Sequence, residues 1–500
     1  MTPGFFLPAI SLAILVCFSP LLKYFFAQDD FILLLRAYSD GPGTFFDYFS
    51  ASAGQFRPLT KVLYFGVMHS AFGLSAIAFH IVAFSLHMFN MVLMYHLFRR
   101  FAVGKVASIT AAAFFGLNVS YFHVLAWISC IQQILGMSFM MVALITGIDS
   151  LRGGSRWARR VSILAYILAL MSMEQTYFVP IVLVLFAVFG MDDGARLPFS
   201  RAIRKFAGQI IVFVAYTAFI VLWKTLPDEG VYTFSVGKNI FRNISQYSGW
   251  VYEFAPILST TMSYTHFAAK MSHVLFLLLL AYHVLLGHYR QIVFGVVFLI
   301  AGMLPVLFLS HHTFYLHLYI PAFGALYLLA LVLDDIVRRI PVFGTRHLQF
   351  VITVVLIAVM SVLSYVKVRE NETAPMRAYS AFLGSFVLRR ALIAAKMMDD
   401  LRERELNPEG VKRVFLVYGR KSGRDEAQWN NRNVIEAIGK GAAVRLFYED
   451  PELDVQFKIA GDALRPEEMI GSRIFFFSDF GRLYAYSDTL RIDPPPTTGP

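Results

Sequence analysis

Apolar runs of membrane-spanning length recur throughout the first 366 residues of this 500-residue chain. A helix crosses the hydrocarbon core of a bilayer, about 30 Å thick, with roughly 20 mainly apolar residues. Only 15% of the residues are charged, whereas soluble domains carry about 25% charged residues. The chain is therefore predicted to be an all-α polytopic membrane protein with about eleven transmembrane helices. The predicted spans are 5–26, 77–98, 104–118, 131–149, 161–173, 176–190, 207–225, 271–287, 291–309, 318–336 and 348–366.

The first run, 5–26, is predicted to stay in the protein as a helix. A cleaved signal peptide would begin with a positively charged segment, which this run lacks. Cleavage after Ala27 would also require a small residue at position 25, where the chain has Phe25. Cys17 and Cys130 lie in or beside apolar runs, and their spacing predicts neither a disulfide framework nor a metal site.

The basic residues indicate how the chain is oriented, because Lys and Arg concentrate in cytoplasmic loops. They cluster in alternate connections, and the opposite connections 119–130 and 310–317 contain no Lys or Arg. The predicted protein is a multi-pass protein of the inner (plasma) membrane with a cytoplasmic N-terminus. Connections 27–76 and 226–270 and the C-terminal region then lie outside the cytoplasm. The net charge is +11, but the Lys and Arg residues form no compact basic stripe. No nucleic-acid partner is therefore predicted.

The composition changes after residue 366, where apolar runs give way to polar sequence with turn residues. A helical stretch comes first and short β-branched and aromatic runs follow, so 367–493 is predicted to be a small extracytoplasmic α/β domain. The Pro-rich end, 494–500, is predicted to be disordered. The predicted strands are 414–418, 443–448, 455–459, 474–478 and 483–487.

Two adjacent acids, Asp29 and Asp30, follow the first predicted helix on its outer side. A carboxylate at this position could act as a general base if it reaches the proton of an acceptor. Charged residues also commonly end a membrane span without any chemical role. A third acid, Glu174, interrupts an apolar segment, where an ionisable residue is costly. It could serve a reaction, or it could hold two short helices together.

Cations and histidines on the outer side are candidates for binding a phosphate. Arg57 is the foremost of the cations because Pro58 stiffens the segment after it. His311, His312 and His317 share one short outer connection, although a single histidine is more often a packed or interfacial residue than a ligand. No zinc-protease spacing, P-loop or dinucleotide motif is present, so neither a metal nor a cofactor is predicted. The outer cations before residue 366 are Arg36, Arg57, Lys61, Lys238, Arg242 and Lys270.

Several short stretches, in order over about residues 1–340, resemble the GT-C membrane glycosyltransferases. The resemblance is to the protein O-mannosyltransferases and the transmembrane/tetratricopeptide-repeat O-mannosyltransferases, together with their bacterial relatives. The stretches that carry it are Asp29-Asp30, Phe56-Arg57-Pro58-Leu59-Thr60, Phe72-Gly73-Leu74, Phe79-His80, Leu86-His87-Met88-Phe89-Asn90, Phe115-Gly116-Leu117-Asn118, Ala126-Trp127-Ile128, Ser172-Met173-Glu174-Gln175 with Pro180, and Leu318-Tyr319-Ile320-Pro321 with Gly324.

Four positions depart from the pattern of those relatives. His123 stands where they often have Glu and Gln133 where they often have Asp. Met173 replaces a Lys, and Leu316 replaces an Arg. These departures bear on any metal site and on the residues that would hold the phosphate, and they leave open a chain that has lost catalysis.

The resemblance implies an enzyme that moves a sugar from a polyprenyl-phosphate donor to a glycan, lipid or protein acceptor on the outer face of the membrane. It implies an inverting displacement with Asp29 or Asp30 as the general base. Asp29 is favoured because the first acid of the pair is the base in related enzymes, and Asp30 would then orient the acceptor or tune its neighbour. Arg57, His311, His312 and His317 would bind the donor phosphate, and Glu174, His80 and His123 would support the site. Two other functions are open from the residues: a transporter or flippase of lipid-linked sugars, and a non-catalytic assembly protein for envelope glycans.

Overall fold

Helices form most of the chain that the structure describes. A computed structural model describes residues 3–40, 55–153, 156–191, 196–223, 235–254, 262–310, 313–339, 345–377, 385–404, 409–418, 426–459, 470–477 and 483–485. The helices are α1 Pro3–Phe18, α2 Asp29–Asp40, α3 Phe65–Phe72, α4 Ala76–Arg100, α5 Lys105–Leu117, α6 Phe122–Ala126, α7 Ile131–Leu151, α8 Arg156–Ser172, α9 Val179–Phe189, α10 Phe199–Lys205, α11 Ala207–Trp223, α12 Lys238–Trp250, α13 Met262–Leu285, α14 Tyr289–Leu307, α15 Ala322–Arg339, α16 Arg346–Arg377, α17 Phe386–Arg404, α18 Glu426–Ala437 and α19 Ala442–Phe447.

Six helical stretches of the described residues are long and apolar enough to cross a membrane. They are Gly4–Lys23, Ala76–Arg100, Lys105–Ala126, Ile128–Leu151, Tyr289–Leu307 and His347–Thr373. Helices α10 and α11, bent by 73° at their junction, add a seventh if they count as one span. Each of the eleven predicted spans contains a helix. In the four predicted spans that are not among these seven, the helix is shorter or more polar. The prediction of a helical, multi-pass membrane protein is confirmed.

Large apolar side chains on the outside of these helices face the surroundings of the protein. Val221 and Leu222 on α11 are 72% and 73% exposed, and Val362 on α16 is 62% exposed. Water would penalise such surfaces, whereas lipid tails would not, so these faces fit a bilayer.

The predicted interruption at Glu174 is confirmed. Helix α8 ends at Ser172, Met173 is extended with φ −156° and ψ 123°, and a 3₁₀ turn covers Glu174–Thr176. Helix α9 then starts at Val179, and Pro180 occupies its first turn, where a missing N–H costs nothing. The break places Glu174 between the ends of two apolar helices.

The connection 27–76 is folded on itself in the parts that the structure describes. It contains α2, a π-helical segment Leu59–Tyr64 and α3. Gly73, with φ +55°, ends α3 in the left-handed conformation that glycine adopts without strain. The first outer connection therefore supplies ordered secondary structure near the ends of the spans.

The C-terminal region, which here means the described residues from Ser385 onward, combines α17–α19 with a four-stranded sheet. Its strands are β1 Arg413–Tyr418, β2 Asp454–Ile459, β3 Ser472–Phe477 and β4 Leu483–Ala485. Their order is β2-β1-β3-β4. Strand β1 is parallel to both neighbours, with Val414 opposite Val455 and Arg473, and β4 is antiparallel to β3. The predicted mixture of helix and strand is present.

One predicted strand, 443–448, is wrong because the chain forms helix α19 there. Its apolar run is too short for periodicity to separate a strand from a buried helix. The two alanines favour a helix, and Gly441, with φ +95°, turns the chain into its start. The predicted disordered end, 494–500, and His311 and His312 lie outside the described residues.

Candidate functional site

The candidate site lies where the outer ends of several helices meet. Asp29 begins α2 just after the first span, and Arg57 precedes the π-helical segment before α3. Ser129 precedes α7, and Glu174 lies between α8 and α9. Because the chain crosses the bundle back and forth, these positions all fall at the same end. Side chains far apart in sequence therefore come together there.

The carboxylate of Asp30 is buried and held by three donors. The residue is 1% exposed, and its Oδ2 accepts the Ala27 backbone N–H at 2.9 Å. Its Oδ1 accepts the Ser129 backbone N–H at 2.7 Å and also the Ser129 hydroxyl. Burial raises the pKa of Asp30 to about 7, while these donors favour its charged form. The structure thus gives Asp30 a fixed orientation within the protein.

The neighbouring acid, Asp29, has an exposed side chain. The protein around it nevertheless removes part of its hydration, and this raises the pKa of the Asp29 carboxyl above its ordinary range. Lys61 is the strongest charge acting in the opposite direction, and Glu436 adds to the rise. An accessible carboxylate with a raised pKa is well suited to accept a proton.

Arg57 and Glu174 form a two-armed ion pair. The Arg57 Nε donates to Glu174 Oε2 at 2.6 Å, and Nη2 donates to Oε1. The remaining terminal nitrogen, Nη1, donates to the Gln132 side-chain oxygen. The Arg57 side chain is 8% exposed and that of Glu174 is 33% exposed. Such paired N–H···O bonds fix a guanidinium in one plane, so Glu174 orients Arg57 and ties it to the broken helix.

Lys61 is the cation that connects this ion pair to the acids. Its backbone N–H donates to the Arg57 carbonyl at 2.9 Å, and its ammonium donates to Gln55 Oε1 at 3.1 Å. Burial, followed by the charge of Arg57, lowers the pKa of Lys61 to about 8, whereas Glu174 and Asp29 oppose that change. In sequence, Lys61 is one outer cation among six. Its spacing of four residues from Arg57 is the signal that could have singled it out, given that the segment is helical.

The histidines divide into separate groups. His317 is 5% exposed, and its backbone carbonyl accepts from the Gln175 side chain at 3.2 Å, next to Glu174. The His80 ring lies 3.1 Å from the Tyr24 carbonyl oxygen and 3.2 Å from that of Leu125. His80 thus fastens the chain shortly before the acids.

His123 lies elsewhere. Its Nε2 is 3.1 Å from the hydroxyl of Ser385, and its ring packs at 5.5 Å from Phe386. It therefore contacts the start of α17 in the C-terminal region. Among the described residues, no three His, Cys, Asp or Glu side chains form a group that could hold a metal ion. The absence of a resident metal stays a prediction.

A further acid, Glu253, lies in the connection 226–270 and is absent from the sequence-based candidates. It is 6% exposed, and its Oε2 accepts the Tyr315 hydroxyl at 2.8 Å. Trp250 stacks on the Tyr315 ring at 4.1 Å between centroids. Burial raises the pKa of Glu253 to about 7. Sequence alone gives no sign that this acid is buried, because it follows the polar helix α12.

The charged groups of the site act on one another. Lys61 is the strongest charge that acts on exposed Asp29, and Arg57 and Glu174 in turn act on Lys61. A carboxylate can accept a proton here, while an adjacent cation can stabilise negative charge on a leaving group. This is the chemistry that the described geometry permits.

No protein-family model matches the chain, and no curated protein matches it. Solved structures similar to it include ArnT from Cupriavidus metallidurans bound to undecaprenyl phosphate, with 14% identity and a TM-score of 0.48. That alignment covers 96% of this chain and 94% of ArnT. An Archaeoglobus fulgidus oligosaccharyltransferase tethered to an acceptor peptide matches with 12% identity and a TM-score of 0.44. There the alignment covers 88% of this chain and 63% of the other, less than two thirds of its length. Both proteins are members of the GT-C superfamily, which the motifs of this sequence resemble.

Proposed function

We propose that this protein is a glycosyltransferase that moves a sugar from a polyprenyl-phosphate carrier to an acceptor hydroxyl at the outer face of the plasma membrane. The observation that carries the proposal is the division of labour between two adjacent acids. Asp30 is held by hydrogen bonds from Ala27 and Ser129, while Asp29 is exposed and Lys61 is the strongest charge that acts on it. The site sits at the ends of apolar helices, where a lipid carrier and a water-borne acceptor can meet.

The proposed reaction is one inverting displacement. Asp29 takes the proton from the acceptor hydroxyl, and the oxygen forms a bond to the anomeric carbon of the sugar. The bond from that carbon to the phosphate oxygen breaks, and its electron pair leaves with the polyprenyl phosphate. The configuration at the anomeric carbon inverts because attack and departure occur on opposite faces. Asp30 stays in place and holds the start of α2.

The negative charge of the leaving phosphate requires a cation nearby. Lys61 fits this role because its ammonium lies among Arg57, Glu174 and Asp29 in the electrostatics of the site. Arg57 is the second candidate, although Glu174 and Gln132 already engage its guanidinium. We assign the first contact with the phosphate to Lys61 and a supporting role to Arg57. The His317 carbonyl accepts from Gln175, the residue after Glu174, and we assign His317 a supporting role as well.

We also propose a mannosyl-like donor, as the resemblance implies, a glycan, lipid or protein acceptor, and a role in the cell envelope. The N-terminus is assigned to the cytoplasm and the C-terminal region to the outside, so the site faces the acceptor.

The test is reconstitution of the purified protein in sealed vesicles with radiolabelled polyprenyl-phosphate mannose in the lipid. Label appearing in acceptor glycan, lipid or peptide, and lost in the Asp29→Asn variant, is the expected result. Label that crosses the bilayer while staying on its carrier would make the protein a flippase instead. Absence of both transfer and movement with a panel of carrier-linked sugars would overturn the catalytic proposal and favour an assembly protein.

A further inference from the structure

The C-terminal region contacts the residue that precedes the two acids, and we infer that its turn at Ala437–Gly441 is a positioning element for Asp29. This inference rests on the proposed function of Asp29 as the base. It goes further because it makes the C-terminal region part of the reaction machinery instead of an appended domain. The turn acts on Asp29 through the preceding residue, Gln28.

A hydrogen bond joins the turn to the residue before the acids. The Gln28 backbone N–H donates to the Ala437 carbonyl at 3.0 Å. Gln28 has φ +56°, a conformation that residues other than glycine rarely adopt. Such a conformation persists only when its surroundings hold it. The bond to Ala437 is one of the contacts that hold it, and it sets the direction in which α2 begins.

Gly439 permits the close approach. A Cβ at this position would lie 2.8 Å from the Gln28 carbonyl oxygen and 3.1 Å from the Phe31 Cβ. These are backbone and inner side-chain atoms, which cannot rotate away. Gly439 also has φ +58°. A side chain there would push the start of α2 away from the turn, and Asp29 lies at that start.

Two further contacts hold α2, one from the membrane bundle and one from the C-terminal region. Asp30 is bonded to Ser129 on the membrane bundle, and the Tyr38 hydroxyl near the end of α2 donates to the Glu449 carbonyl at 3.0 Å. Helix α2 is therefore clamped between the bundle and the C-terminal region. Contacts from both sources restrict the position of this short helix more than contacts from either source alone.

The same region contributes charge to Asp29. Glu436, Arg390 and Lys440 act on Asp29 from the C-terminal region, whereas Lys61 acts from the membrane portion. Two cations and one acid thus come from the docked region. Its removal or displacement should change the proton affinity of Asp29 in addition to its position.

The matched experiment compares Gly439→Ala with Gly410→Ala in the full-length protein. Gly410 also has a positive φ, +77°, but a Cβ there would meet no atom within 4 Å. Both variants pay the backbone strain, and only Gly439→Ala adds the collision with Gln28. Since displacement of about 1 Å can cost up to about 10²-fold in rate, kcat should fall by at least about tenfold in Gly439→Ala. The KM for donor should stay within about twofold.

Hydrogen exchange gives a readout that needs no activity. Peptides covering the start of α2 should exchange at least about tenfold faster in Gly439→Ala than in wild type or Gly410→Ala, because the Gln28 amide loses its partner. Equal exchange in the two variants would overturn the inference, as would equal losses of kcat. Inactivity of the wild type with every donor would instead refute the proposed function. The exchange result would then still decide whether the turn holds the start of α2.

A charge variant provides the remaining check. Lys440→Met removes a cation that favours the charged form of Asp29, so the acid limb of the pH–rate profile should move to higher pH. A shift in this direction would not follow from loss of folding. An unmoved acid limb would show that the C-terminal region does not act on the charge of Asp29.

Discussion

The Asp30 carboxylate accepts the Ser129 backbone N–H at 2.7 Å, so the first residues of α2 are tied to the 3₁₀ turn that precedes α7. This bond crosses from one helix end of the bundle to another. It gives two acids that are adjacent in the chain different surroundings: Asp30 is buried in the protein, while the Asp29 side chain stays exposed. Different surroundings give neighbouring carboxylates different tasks.

Replacing each acid by its amide should separate these tasks. Asp29→Asn removes the base and should lower kcat by roughly 10² to 10⁴-fold, with no change in thermal stability because its side chain is exposed. Asp30→Asn places an amide N–H against one of the Ala27 and Ser129 donors and should destabilise the protein by about 1.5–3 kcal/mol. Transfer assays and thermal unfolding in detergent measure both effects. Full transfer by Asp29→Asn would remove Asp29 from the mechanism.

The sequence indicated the acids, Arg57 and Glu174 as separate candidates, and it could not pair them. Pairing depends on how the ends of α7, α8 and the π-helical segment meet, which no local pattern encodes. The apolar runs did predict the helices, because each residue of a span contributes to its hydropathy and the signal is therefore local in the sequence. The run 443–448 was misassigned because a short buried helix and a buried strand have the same composition. Gly439 carries no sequence signal, because its significance depends on Gln28, near the other end of the chain.

The Arg57–Glu174 pair should be energetically coupled. Arg57→Lys keeps the charge but loses the two-armed geometry, and Glu174→Gln leaves a guanidinium without its counter-charge. Each single variant should lose about 1.5–3 kcal/mol of stability, and the double variant should lose less than their sum by about 0.5–3 kcal/mol. A double-mutant cycle on thermal unfolding measures the coupling. Strictly additive losses would show that the pair does not act as a unit.

Removing the Ser129 hydroxyl should act through Asp30. That hydroxyl lowers the pKa of Asp30 by favouring its charged form, so Ser129→Ala should raise the pKa. The acid limb of the pH–rate profile should move upward by about one pH unit, the equivalent of about 1.4 kcal/mol. Ser138→Ala is the control, because its hydroxyl donates to Asn90 Oδ1 at 2.6 Å within the bundle. A shift of the same size in both variants would contradict a specific effect on Asp30.

The pH dependence of transfer should be bell-shaped, with limbs assigned to different groups. On the acid side Asp29 must be charged to accept the proton, and Asp30 must be charged to keep its Ala27 and Ser129 donors. Burial raises the pKa of both acids, that of Asp30 to about 7. Activity should thus fall as pH drops through that value, well above the ordinary Asp pKa of about 3.9. On the alkaline side Lys61 loses its charge as pH rises through about 8. Lys61→Arg keeps the charge at any of these pH values, so its alkaline limb should disappear while the acid limb stays. An unchanged alkaline limb in Lys61→Arg would mean that another group titrates there and that Lys61 does not hold the leaving phosphate.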